Sequence, residues 1–223
     1  MIDKERYLGE LIKKLKAAFG EKLIYVGLQG SYLRNEATEN SDIDIMVVLS
    51  ELTAADMDLY RQVIFSLPDA EKSCGFICSA GALANWNPLE ICHLKHTTED
   101  RYGTLEKLLP SYSRRDIASY IKLGAGDLYH TLCHRYIHAP KENSVRALPS
   151  CIRNVFFILQ DLHYLETDSY AATKAELRKE LNEADREVWD MLLHFSEKEA
   201  LDPVLDKLLS WCIQVMYRAE KAQ

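Results

Sequence analysis

Apolar residues at Ile2, Leu8, Leu11, Ile12, Leu15, Ala18 and Phe19 recur at a helical period and predict an opening helix over residues 2–19. The run "KLIYVGLQG" is apolar up to Gly30, and "DIDIMVVL" begins with alternation and ends fully apolar; both predict strands. Between them "SYLRNEA" suits a helical turn and "TENS" a loop. Thr53, followed three positions on by Asp56, announces a helix across "LTAADMDLYRQVIFSL". "CGFICS" and "PLEICHLKHTT" predict two further strands separated by the short segment "AGALANWN". The first hundred or so residues thus alternate helix and strand, an α/β or α+β unit.

From about Asp116 the texture changes. Five segments carry helical spacing, with breaks at Pro140, Pro149 and the stretch from Glu166 to Ser169. This half predicts an antiparallel helical bundle, with the boundary inside "LLPSYSRRD", residues 108–116. No internal repeat and no low-complexity segment interrupts it.

Bulk numbers narrow the field. The 223 residues are 48% hydrophobic and 27% charged, enough to bury a real core. No apolar run reaches the roughly 20 residues a membrane helix needs, and the amphipathic N-terminus lacks the apolar region of a signal peptide. The expectation is a cytoplasmic protein with no membrane partner. Six scattered cysteines without a CxxC pair indicate neither zinc nor disulfides, and read as small apolar core residues in a reducing compartment. A formal net charge of −7 argues against general nucleic-acid binding.

The chemistry lies in "GSYLRNEATENSDID". Residues two apart in a strand share a face, so Asp42 and Asp44 point together while Ile43 and Ile45 face the core. Paired carboxylates repel and resist desolvation unless a cation neutralises them. Mg²⁺ (or Mn²⁺) takes oxygen ligands and keeps positions open for substrate phosphates. Upstream, Gly30 lets backbone approach a ligand closely, and the Ser31 hydroxyl with the N–H groups of a starting turn can cradle phosphate. Carboxylates for metals beside donors for phosphate oxygens are what phosphoryl and nucleotidyl transfer require.

A hydrophobic strand, Gly30-Ser31, ten intervening residues and Asp42-Ile43-Asp44 resemble the nucleotidyltransferase superfamily that includes DNA polymerase β and the kanamycin and lincosamide nucleotidyltransferases. The interior "RNEATENSDID" is similar to a common bacterial "RGEATxxSDID" form, with Asn35 in place of the usual glycine. The detailed match spans residues 23–49. The resemblance implies an α+β chain, in which a mixed sheet with flanking helices forms a catalytic domain over residues 1–110. A substrate- or partner-binding helical bundle then covers residues 111–223.

The resemblance further implies Mg²⁺-dependent transfer of a nucleoside monophosphate, AMP from ATP above all, to a hydroxyl of a small-molecule acceptor such as an antibiotic. Asp42 and Asp44 would hold the metals, and Gly30 and Ser31 the triphosphate. The superfamily uses a third carboxylate on a later strand; Leu89-Glu90-Ile91 fits best, making Glu90 a metal ligand or general base. Glu99 and Asp100 are rivals, but "TTEDRYG" reads as a strand exit. Arg34 is equally a phosphate contact and a solvated surface residue, and Ser41 a nucleotide contact or a turn residue. Glu36 reads as serving the fold.

Other features carry blander expectations. His130, His134 and His138 form a stripe at i, i+4, i+8; metal binding or a substrate contact is the minority reading, and hydrogen-bonded packing against the catalytic domain the majority one. The Arg-x4-6-His spacing of toxin-type ribonuclease bundles is absent. Lys174 resembles a bundle lysine that touches triphosphate in antibiotic-modifying relatives, though a surface lysine is the simpler expectation. Trp86, Trp189 and Trp211 read as core or interface residues. A competing expectation of a different class is an antitoxin-like module that binds or AMPylates a protein partner. Homodimerisation is suggested by the resemblance alone.

Overall fold

A computed structural model describes residues 2–196 and 200–223 of the chain. It divides into two compact units, Met1–Ser111 and Tyr112–Gln223, each taken by itself below.

In the first unit the opening helix α1 spans Lys4–Phe19. Asp3 caps it by accepting the Arg6 N–H, and Tyr7, Leu8, Leu11, Leu15 and Phe19 form its buried face. Strand β1 (Leu23–Gln29) runs directly into the short helix α2 (Gly30–Leu33), and β2 (Ile43–Leu49) follows the polar loop. Helix α3 (Ala54–Phe65) starts at the expected capping box, in which the Thr53 and Asp56 side chains satisfy each other's backbone N–H. Strand β3 (Ser73–Ser79) leads through α4 (Ala80–Ala84) and α5 (Pro88–His96) to β4 (Glu99–Tyr102).

The sheet order is β3-β2-β1-β4; β1 is antiparallel to β2 and β4, and β2 is parallel to β3. Alternation along β2 divides the core. Ile43, Ile45, Val47 and Leu49 join the α1 and α3 residues on one face, while Met46 and Val48 meet Tyr25, Cys78, Leu83 and Leu105 on the other.

Two expectations fail here for one reason. "PLEICHLKHTT" was expected as a strand and is the helix α5. Asn87 caps it by accepting the Leu89 N–H, Pro88 occupies its first turn, and His93, Lys95 and His96 fill its last. The strand lies one segment later, in the polar "EDRY" that read as a strand exit. An edge strand with exposed Glu99 and Asp100 carries no apolar alternation to betray it.

The second unit comprises α6 (Arg114–His138), α7 (Lys141–Ala147), α8 (Cys151–Thr167), α9 (Lys174–Glu180), α10 (Glu183–Leu193) and α11 (Leu201–Ala222). Capping boxes at Ser113–Asp116 and Thr173–Glu176 open α6 and α9. Trp189 and Trp211 are buried, as expected of core residues. Trp211 Nε1 donates to Asp185 Oδ1 at 2.8 Å, and Arg218 bridges Asp185 (2.7 Å) and Glu166 (2.9 and 2.8 Å). Burial works against the Arg218 charge, but the two carboxylates outweigh it and hold the guanidinium protonated.

Candidate active site

The turn that closes β1 is the centre of the site. Gly30 has φ +68°, where an L side chain is strained, and a Cβ placed there would stand 1.9 Å from Asp44 Oδ2. The Asp44 carboxylate therefore lies directly on the glycine backbone, and no other residue type leaves it that space. Gln29 and Asp44 are opposite each other in the antiparallel pair, so Asp44 stands at the open end of β2, half-buried. Asp42 sits just before the strand and is exposed; Ile43 and Ile45 are fully buried on the reverse face.

Cys74, on β3, pairs in register with Asp44 and is exposed. Its thiol is pushed above the usual value, first by partial desolvation, then by the Asp44 carboxylate beside it, with a further push from Asp42. This cysteine departs from the expectation that every cysteine is a core residue; Cys78, Cys92, Cys151 and Cys212 fit it.

The loop between turn and strand is built by its own side chains. Asn35 adopts φ +55°, the left-handed region for which glycine and asparagine are suited, and its Oδ1 accepts from Lys4 Nζ at 2.8 Å. Arg34 Nε donates to Glu36 Oε2 at 3.0 Å with both side chains largely covered, so Arg34 is engaged in the loop rather than spread in solvent. The Glu36 N–H donates to the Ser31 carbonyl at 2.9 Å. Ser41 closes a turn: its N–H donates to the Thr38 carbonyl (3.1 Å) and its Oγ accepts the Thr38 N–H (2.9 Å). Of its two expected roles the structure displays the turn.

Glu90 does not stand where the sequence placed it. It lies on α5, exposed, and accepts a hydrogen bond from Trp86 Nε1 at 3.0 Å. The assignment of a strand-borne third carboxylate to Leu89-Glu90-Ile91 is thus corrected, since the segment is helical. Among the described residues no group of three or more His, Cys, Asp or Glu side chains could hold a metal ion, so the expected convergence of Asp42, Asp44 and Glu90 on one ion is absent. On β4, Asp100 pairs in register with Gly27, and its Oδ1 accepts the Leu105 N–H. Glu99 instead pairs with Arg101.

The residues that remain fit a hard divalent cation of modest demands. Mg²⁺ commonly binds through one or two carboxylates, keeps several waters and takes phosphate oxygens for the rest. Asp44 on its glycine cradle and exposed Asp42 supply such a pair. In the second unit His130, His134 and His138 are all exposed, with ring centroids 6.0 and 4.9 Å apart. The Lys174 ammonium lies 5.9 Å from the Phe156 ring centroid.

Residues 8–77 match the family model of the nucleotidyltransferase domain, a span that contains the turn, Asp42 and Asp44. A protein of Methanocaldococcus jannaschii, named provisionally as a protein adenylyltransferase, is 39% identical over 54 residues, which is 24% of this chain and 37% of that protein. The chain therefore spans little more than a third of that curated relative. A crystal structure of a spectinomycin adenylyltransferase from Enterococcus faecalis, with ATP and spectinomycin, aligns over 97% of this chain and 99% of that one, with a TM-score of 0.55 and 15% identity. At that identity the likeness speaks for the fold: a mixed four-stranded sheet with flanking helices followed by a helical region. Among the described residues no helix is long and apolar enough to cross a membrane.

Proposed function

The chain carries a nucleotidyltransferase domain, and from that premise we propose that it transfers AMP from ATP to a hydroxyl of a small-molecule acceptor in a Mg²⁺-dependent reaction. The observation that carries the proposal is the packing of the Asp44 carboxylate on the Gly30 turn, with Asp42 two residues before it. The fold of an adenylyltransferase crystallised with ATP and an antibiotic supports both the nucleotide and the acceptor class.

In this scheme Asp42 and Asp44 would hold the divalent ion, whose charge would offset that of the triphosphate. The acceptor hydroxyl oxygen attacks the α-phosphorus and gives up its proton to water, the bond to the bridging oxygen breaks, and pyrophosphate leaves as the AMP ester forms. The Ser31 hydroxyl would donate to a phosphate oxygen beside the turn. Arg34, fixed by Glu36, adds positive charge beside the same turn. Binding the triphosphate at a fixed angle to the acceptor supplies much of the rate by orientation alone.

The local likeness to a protein adenylyltransferase favours a second reading, AMPylation of a protein hydroxyl. One experiment separates the two. The full-length protein is incubated with Mg²⁺ and each of the four nucleoside triphosphates labelled at the α-phosphate, against aminoglycosides, lincosamides and spectinomycin on one side and a protein extract on the other. Label from ATP on a small acceptor supports the first reading. Label only on protein replaces it with the second, and no labelled product overturns both.

A further inference from the structure

We propose that Gln29 completes the Asp42–Asp44 site. Its amide oxygen would accept hydrogen bonds from the water shell of the bound divalent ion, with Thr98 as the positioning residue that fixes the amide. The inference rests on the reading of Asp42 and Asp44 as cation-holding residues and extends it to a neutral third member.

Gln29 is the direct antiparallel partner of Asp44, and such partners project on one face with Cβ atoms about 4.5–5.5 Å apart. Gln29 is also the last residue of β1, immediately before Gly30, so its side chain and the carboxylate cradle share one short piece of backbone.

The hydrogen bonds at Thr98 fix which end of the amide faces where. Gln29 Nε2 lies 2.8 Å from Thr98 Oγ1, and Thr98 Oγ1 lies 2.7 Å from the Leu94 carbonyl. A hydroxyl has one proton. Here it goes to the Leu94 carbonyl, in the last turn of α5, where carbonyls have no helical partner. The Thr98 oxygen can then only accept, so it faces the NH₂ of Gln29. Reversing the amide would oppose two acceptors or strip the helix end of its bond. The NH₂ is thereby committed to Thr98, and Oε1 is left as an acceptor on the side chain that neighbours Asp44.

Chemistry gives the role. A carboxylate at this place would add a third negative charge to the pair; an amide oxygen adds an acceptor without charge. Hydrated divalent ions carry strongly polarised water protons, the donors such an oxygen suits.

The test is Mn²⁺ binding to the full-length protein, followed by electron paramagnetic resonance, with thermal unfolding measured on every variant. Asp44→Asn reports on the parent reading. Gln29→Leu and Thr98→Val are each expected to weaken Mn²⁺ binding about tenfold, the worth of one hydrogen bond. Their combination should be no worse than either alone, because both remove the same oriented oxygen. Thr98→Ser keeps the hydroxyl and should bind as the native protein does. If the native protein binds Mn²⁺ and Asp44→Asn does not, yet Gln29→Leu and Thr98→Val bind normally, the Gln29 proposal is overturned and the aspartate reading stands. If the native protein binds no Mn²⁺, both fall.

Discussion

The carboxylate of Asp44 rests on the Cα of Gly30: a methyl group there would stand 1.9 Å from Oδ2 and 2.8 Å from Cγ. Gly30 also holds φ at +68°, which costs an L-residue about 1–2 kcal/mol. Gly30→Ala is therefore expected to displace the carboxylate and lower stability by about that amount, with transfer activity falling much further than stability. Denaturant unfolding alongside a transfer assay checks it; equal activity at reduced stability would contradict the cradle.

Glu90 tests the correction that the fold imposed. It sits on α5 with its carboxylate on the Trp86 indole N–H, in no cluster that could hold a metal. Glu90→Gln should leave Mn²⁺ affinity at the native level, because the amide still accepts from Trp86 and no ligand is lost. A marked loss of affinity would restore Glu90 to the metal site.

The sequence made the core of the site legible because its signals are local. Gly30, the ten-residue spacer and the alternation Asp42-Ile43-Asp44 depend on strand geometry alone, and the fold keeps all three. The third carboxylate was misplaced because β-strand and helix compete over short apolar segments. In "NPLEICHLKH" the Asn87 cap, Pro88 and basic last turn outweigh the β-branched Ile91, and adjacent Ile91 and Cys92 are both buried, which strict alternation forbids. Strand β4 was hidden by its polarity. The role inferred here for Gln29 could not be read from its neighbours, since it depends on a pairing with Asp44 fifteen residues away and a bond to Thr98 sixty-nine residues away. For the histidine stripe, spacing showed which residues share a face but not whether anything covers it.

In the helical unit the Asp185 carboxylate, 2% exposed, holds Trp211 and Arg218 together. Asp185→Ala leaves the buried Trp211 indole N–H without its acceptor while Arg218 keeps Glu166, and stranding one buried donor costs about 1–3 kcal/mol. Urea unfolding should show a loss in that range. A change below about 1 kcal/mol, the size of an exposed pair, would contradict the burial.

Stability should also fall at alkaline pH through the buried thiols. Burial raises Cys78 to about 11 and Cys212 to about 12, from an ordinary value of 9.0. Below 9 both states are protonated and the thiols are neutral to folding; above it the unfolded chain ionises while the folded protein does not. Stability is therefore full below pH 9 and is lost as pH rises toward about 11 or 12, by about 1.4 kcal/mol per pH unit for each thiol. Cys212→Ala should flatten the pH dependence of unfolding above pH 9 by one such increment. An unchanged slope would show that the thiol titrates normally in the fold.

An aspartate seated against a glycine turn is the centre of the proposed chemistry, and Asp44→Asn addresses it most directly, since the amide is nearly isosteric and removes only the charge. Transfer of label from the α-phosphate of ATP is measured for native and variant protein in Mg²⁺, with thermal unfolding recorded on the same samples. The expected result is loss of transfer by at least about a hundredfold with unfolding unchanged. Native-level transfer by the variant would contradict it.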